Sequence, residues 1–294
     1  MNTDLPHTLA SSLLISTTYE ISADMEGRYQ CNLTSELMKI ATSTLNEPAD
    51  NNDRLRAIDR LRASYEAKAY GPLVRSDDLF LLRFLRARKF DRKRSLKLLR
   101  KYHVIREELP QVFSKIAKPW ALNHVMESGM MYVASKKTTH RESVFIYRPQ
   151  QRDREVKLFD VFAYGVVSAE KLLEDEEFQI CGGILIDDLK HLQLGRVTEL
   201  SLKCLKLLLQ IWQDAMPVTI TSMHICNQSK VMNLCYGLAK PFLKRRFTDK
   251  MYIHRNLGKL HIRVNPEVLP PCLGGSGLSL EDGNKLWLKK LNED

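Results

Sequence analysis

From residue 54 onward, apolar side chains recur every three or four positions, the spacing that puts them on one stripe of a helix. Residues 54–70 form the first such run, and Gly71-Pro72 breaks it. Ser76-Asp77-Asp78 supplies the next start, a capping hydroxyl followed by carboxylates in the first turn. That helix is expected to run to about Lys89. Asp91 caps another, with Leu96, Leu99, Tyr102 and Ile105 near i, i+3 spacing. Pro110 and Pro119 punctuate two shorter helical pieces.

After about Gly129 the period changes. Residues 130–134 and 144–148 read as strands joined by a polar turn, and 160–173 as a helix. The apolar run 180–186, bounded by Asp187-Asp188, has the pattern of a buried strand. Residues 196–215 predict a long helix, apolar over most of its circumference and therefore expected to be covered. Strands follow at 218–225 and 251–254, with a helix between them at 228–242. Strands alternating with helices imply parallel pairing through crossover helices. The fold class is α/β, a mainly parallel sheet preceded by a small all-helical domain. Residues 1–52, rich in Ser, Thr, Asn and Asp without a sustained period, read as a disordered tail with one short helix around 35–41.

Charge changes this picture. The chain carries a net +10, but residues 54–106 alone hold 17 basic and 5 acidic groups. A regional excess of this kind favours an anionic partner; the plainer alternative is a solvated helix face. Two segments join apolar stripes to dense cations: Leu82-Arg83-Phe84-Leu85-Arg86-Ala87-Arg88-Lys89-Phe90 and Ala239-Lys240-Pro241-Phe242-Leu243-Lys244-Arg245-Arg246. In the second, Val231, Leu234, Leu238 and Phe242 share a stripe that runs to Leu243, and Pro241 should bend or stop the helix. An apolar helix edged by cations suits a lid that lies on a membrane interface. The same stripe also suits plain packing on the sheet, and both hold if the helix packs in one state and opens in another. Nucleic acid fits poorly, because the interleaved Leu and Phe are needed for helix packing and no nucleic-acid module is present.

Catalytic chemistry is scarce. The chain has no phosphate loop, dinucleotide fingerprint, HExxH or EF-hand loop. Gly274-Gly275-Ser276-Gly277 lacks the strand–turn–helix context of a nucleophile elbow. Of the 8 histidines, His224 and His254 fall in or at the end of strands, where a packed residue is more common than a ligand. Asp187-Asp188 ends a central strand, where α/β folds place sites. With no second carboxylate or nucleophile nearby in sequence, anchoring of the following loop is favoured over acid–base work. The 6 cysteines show no metal-ligand spacing and suit a reducing, cytoplasmic compartment. No stretch reaches the roughly 18 apolar residues of a membrane span, and residues 9–15 are too short and too polar at their flanks for a signal peptide.

Five segments carry a resemblance: residues 81–88, Val144-Phe145-Ile146-Tyr147-Arg148, Asp160-Val161-Phe162, Lys240-Pro241-Phe242-Leu243, and Leu269-Pro270 through Gly274-Gly275. In order and spacing they resemble the CRAL-TRIO lipid-binding family, most of all its alpha-tocopherol transfer protein branch, from about Asp77 to Trp287. The resemblance implies a helical N-terminal domain at 53–118 and a lipid-binding domain at 119–294 whose sheet and helices enclose one hydrophobic ligand, tocopherol- or retinoid-like. It implies no enzyme activity, cofactor or metal. It places a gate at about 227–243, bearing Val231, Leu234, Leu238, Phe242 and Leu243. Pocket walls by position are Phe162, Leu194, Leu200, Leu208, Ile211, Trp212, Val218 and Met223, each equally suited to ordinary core. Phosphatidylinositol bisphosphate contacts fall on Arg88, Arg246 and Lys250. Two further basic positions of that headgroup site fall on Thr219 and Thr221, which weakens it unless Lys244 or Arg245 substitutes. The two cavity serines of the tocopherol pattern align with Gly165 and Ala169, with Ser168 adjacent. The expected function is lipid transfer, with reversible peripheral membrane association. The alternatives are phosphatidylinositol exchange or sensing, and a hydrolase or isomerase acting on a bound lipid.

Overall fold

The computed structural model describes residues 27–151, 155–192, 201–227 and 236–293. The first helices are each set by a side-chain cap. Thr34 accepts from the Leu37 N–H at the start of α1 (Ser35–Leu45), and Asp50 accepts from Asp53 at the start of α2 (Asn51–Glu66). For α3 (Asp78–Ala87) the cap is the Asp77 carboxylate, which accepts from Phe80, and not the expected Ser76 hydroxyl. Asp91 caps α4 (Arg92–Glu108) as its spacing predicts. The α3–α4 turn places two consecutive non-glycine residues, Lys89 (φ 54°) and Phe90 (φ 57°), in the left-handed region. Such residues are uncommon and hold only where the surroundings determine them. Here Phe90 packs against the core, and Lys89 is carried to the surface beside it.

The expected disordered tail is folded from residue 27 onward. Leu37, Ala41 and Leu45 of α1 pack on Ile180 and Cys181, over 130 positions downstream. Glu47 is 2% exposed and accepts from Arg54 Nε at 2.7 Å and from Arg86 Nε and Nη2 at 2.8 and 2.9 Å. Arg86 also reaches Gln179 Oε1 at 2.9 Å and Glu176 Oε2 at 2.8 Å. Both guanidiniums are fully buried, and Glu47 pairs with both while Glu176 also serves Arg86, which makes their burial tolerable. A polar composition hides this, because isolated buried carboxylates and a few small apolar contacts leave no period in the sequence.

The sheet has the order β1 (Met131–Val133), β2 (Ser143–Tyr147), β3 (Gly183–Asp188), β4 (Ile220–Cys226), β5 (Met251–Ile253). Only β1–β2 is antiparallel; the three later pairings are parallel. α5 (Leu158–Leu172) and α6 (Glu176–Cys181) cross between β2 and β3. The predicted strand at 180–186 therefore starts late. Ile180 and Cys181 end α6, and Gly182 at φ 73° turns the chain where a Cβ would strike the Thr219 carbonyl. A short apolar run does not distinguish the end of a buried helix from a strand.

The long helix predicted at 196–215 is described from Ser201, which caps α7 (Leu202–Gln210); α7 then widens into a π-helical turn, Ile211–Ala215. Contrary to expectation, α7 is not covered. None of its residues is buried, and Leu202 is 50% exposed.

The two sheet faces differ. Val144, Ile146, Ile184, Ile186 and Cys226 point to one face and are sealed under Leu260, Val264, Val268, Leu269 and Leu273. Leu260 belongs to α8 (Leu257–His261), and the chain closes with α9 (Leu280–Asn292). Phe145, Tyr147, Leu185, Asp187 and Met223 alternate to the opposite face and stay only half-buried. Phe145 and Tyr147 join the apolar cluster that holds α5, Leu207, Leu208, Trp212 and Val218.

Candidate ligand cavity and cationic surface

A sheet face that is apolar, roofed by helices and still half-accessible is the geometry of a ligand cavity. Of the expected walls, Leu208, Trp212, Val218 and Met223 are half-buried around this face. Phe162 (4%) and Ile211 (0%) are sunk in the core behind it. Leu194 and Leu200 lie outside the described residues.

The polar handles of the tocopherol pattern are absent for a physical reason. A Cβ on Gly165 would lie 2.9 Å from Trp212 Cζ2, so the indole fills the space a serine would need. Ala169 is buried. The adjacent Ser168 is spent on structure, its hydroxyl accepting from Trp287 Nε1 at 3.3 Å. Gly165→Ser is accordingly expected to displace Trp212 and cost about 1–3 kcal/mol of stability, the usual range for overpacking. Urea unfolding followed by tryptophan emission checks this; an unchanged midpoint would mean that the indole yields freely.

The gate residues are described in part. Val231 and Leu234 lie outside the described residues, Leu238 is exposed, and Phe242 and Leu243 are half-buried. Residues missed in the sequence hold the gate's end. Gln213, on the π turn and 3% exposed, donates from Nε2 to the Phe242 carbonyl at 3.1 Å and accepts from the Lys244 N–H at 2.7 Å. Its own carbonyl accepts from Arg246 Nη2. Lys206 Nζ lies 4.8 Å from the Phe242 ring centroid. A lone glutamine in an apolar helix gave no signal of this role.

Arg88, Arg246 and Lys250 come from three elements and converge. Burial holds the Arg88 guanidinium down at about 10, and the nearby charges of Arg246 and Arg94 add to that. Lys250 is likewise lowered, first by burial, then by Lys89 and Arg246. The residues missed in the sequence are Lys89 and Arg94, legible there only as part of a basic run. Lys244 does not compensate for the two threonines: its ammonium is tied to Asp214. Arg245 projects into solvent, its side chain 93% exposed and 3.5 Å from Asp249. Thr221 donates its hydroxyl to the Gly183 carbonyl at 3.1 Å, and the Thr219 carbonyl takes the Gly183 N–H at 3.0 Å. The convergent cations repel one another, and Asp214, 3.8 Å from Arg246, is the acid that offsets them at Arg88 among the described residues. A multiply charged anion with several oxygen acceptors relieves that repulsion.

The remaining candidates are structural. Asp188 is the loop anchor, accepting from Lys190 N at 3.1 Å, Asn227 Nδ2 at 2.7 Å and Arg148 Nε at 3.1 Å. His224 and His254 hydrogen-bond to each other at 2.8 Å in a stacked, buried pair; burial and the charges of His254 and Arg263 push His224 down to about 4. No group of side chains fit for a metal occurs among the described residues, nor is any described helix long and apolar enough to cross a membrane.

Comparison with known proteins adds to this geometry. The CRAL/TRIO domain pattern matches residues 126–275, and the CRAL/TRIO N-terminal domain pattern matches 48–101. Alpha-tocopherol transfer protein-like of Mus musculus is 33% identical over 256 residues, covering 86% of this chain and 74% of that protein. Clavesin-1 of Pongo abelii is 31% identical over 251 residues, covering 84% and 70%. Among solved structures, Sfh5 superposes with a TM-score of 0.55 at 16% identity, over 83% of this chain and 99% of that one, a likeness of fold alone.

Proposed function

The chain belongs to the CRAL/TRIO family of lipid-binding and transfer proteins, and from that premise we propose that it carries one hydrophobic molecule and exchanges it at phosphoinositide-bearing membranes. The observation that supports this most is the pairing of two surfaces: a half-buried apolar sheet face under α7, and convergent cations at Arg88, Arg246 and Lys250. The apolar face supplies affinity at about 0.8 kcal/mol per buried CH₂. The cations supply reversible attachment to an anionic leaflet, at about 1 kcal/mol each. Exposed Leu238 on the gate segment and exposed Leu202 at the start of α7 suit shallow contact with the interface. We place this action on the cytoplasmic side of membranes, where phosphoinositides face.

Phosphatidylinositol exchange is the weaker reading. A phosphate head inside the cavity needs inward cations, and the charged side chain on the half-buried face of β3 is the acid Asp187. Catalysis on the bound lipid is weaker still, since Asp188, His224 and His254 are all engaged in structural contacts.

The test is mass spectrometry of lipid retained after incubation with a mixed cell-lipid extract. One tocopherol- or retinoid-like species, chemically unchanged and near one per protein, is the expected result. A phosphatidylinositol species would replace this reading with exchange, and an altered ligand would replace it with catalysis.

A further inference from the structure

Arg245 stands next to the convergent cations without joining them. Its side chain lies in solvent and meets Asp249 at 3.5 Å, a pair that water screens. After it come Arg246, Phe247 and Thr248: two arginines, one intervening residue, then a threonine. Basophilic protein kinases read this charge pattern, taking the two guanidiniums on carboxylates of their own through charge-assisted hydrogen bonds. The local fold leaves the pattern readable. Arg245–Thr248 is a single helical turn, and one turn has little cooperative hold of its own. Thr248 is half-buried, and its hydroxyl donates to the Arg245 carbonyl at 3.1 Å, within the same turn. Ser95 makes the contrast. It follows Arg92-Lys93-Arg94, but it is fully buried in α4 and donates its hydroxyl to the Asp91 carbonyl at 2.8 Å.

We propose that Thr248 is a phosphorylation site whose phosphate occupies the cationic surface in place of a lipid headgroup. This rests on the headgroup reading and adds its regulation. In the step, Thr248 Oγ1 attacks the γ-phosphorus of ATP held by the kinase. An O–P bond forms, the bond to the leaving ADP breaks, and the hydroxyl proton passes to the kinase's catalytic carboxylate. Thr248 lies two residues after Arg246 and two before Lys250. The charges of Arg246 and Lys89 already act on Lys250, and those of Arg246 and Arg94 on Arg88. A phosphothreonine brings roughly −1.5 to −2 charges and three acceptor oxygens into that field. This is the chemistry a phosphoinositide headgroup offers, but tethered to the surface, so its local concentration exceeds that of a lipid in solution. The cations are then satisfied from within, and the anionic leaflet loses its hold.

The test treats the whole chain with ATP and the catalytic subunit of cyclic-AMP-dependent protein kinase. Mass spectrometry is expected to find phosphate on Thr248, and Arg245→Ala to slow its addition about tenfold, the size of one lost charge-assisted hydrogen bond. The modified protein should sediment with vesicles containing phosphatidylinositol bisphosphate about 30-fold more weakly, as if two cations were neutralised. Phosphatase treatment should restore sedimentation, which separates a switch from unfolding. Thr248→Val should bind the vesicles within about twofold of wild type, with or without kinase. Absence of phosphate from Thr248, or unchanged sedimentation once Thr248 is fully modified, overturns the assignment and leaves the headgroup reading standing. Failure of unmodified wild type to sediment with those vesicles overturns both.

Discussion

Replacing Arg246 and Lys250 together with alanine is expected to weaken binding to vesicles containing phosphatidylinositol bisphosphate by roughly 30-fold, with affinity for the hydrophobic ligand nearly unchanged. Each cation near an anionic leaflet contributes about 1 kcal/mol, and about 1.4 kcal/mol is tenfold in affinity. Arg246 is the cation whose charge acts on both partly buried neighbours, Arg88 and Lys250. Removing them also removes the repulsion the headgroup would relieve. Arg245→Ala is the control: its side chain lies in solvent beside Asp249, so the effect should be no more than a few-fold. Sedimentation with vesicles at two ionic strengths reads both, because attachment of this origin fades with salt. Equal sedimentation of the double variant and wild type would remove the cationic surface from the mechanism.

Glu47→Ala is expected to cost about 3–5 kcal/mol of stability, the range for stranding buried charge. The carboxylate serves two fully buried guanidiniums at once, Arg54 and Arg86. Glu47→Gln should cost less, since an amide oxygen still accepts one of those bonds. Urea unfolding measures the difference, and hydrogen exchange of α1 and α3 shows where it falls. A midpoint within error of wild type would mean that the pairing of Glu47 with Arg54 and Arg86 contributes nothing to stability.

How far the sequence carried is clearest residue by residue. The cap at Asp91 and the strand at β2 are local, so neighbouring residues announced them. Ile180 and Cys181 misled, because an apolar run of that length serves a helix end as well as a strand. The basic residues were plain as charge. Their meeting was not, since Arg88 and Arg246 are brought together by the fold across more than 150 positions. Lys89 joins them only through a left-handed backbone, which no residue type there advertises. Glu47 was lost in a polar stretch because a single buried acid has no period. In Asp187-Asp188 the pair was visible, but which carboxylate lies on the half-buried face depends on strand parity, and that needed β3 to start at Gly183.

Gln213 grips the backbone on both sides of Leu243, at the Phe242 carbonyl and the Lys244 N–H. Arg246 and Lys250 follow the gripped residues in the chain, and each is held by a contact of its own, Arg246 at the Gln213 carbonyl and Lys250 Nζ at the Ile220 carbonyl, 2.7 Å away. If the protein is the carrier proposed above, its hold on an anionic leaflet and its hold on the cargo then rest on separate anchors, and the first can form before the second is given up.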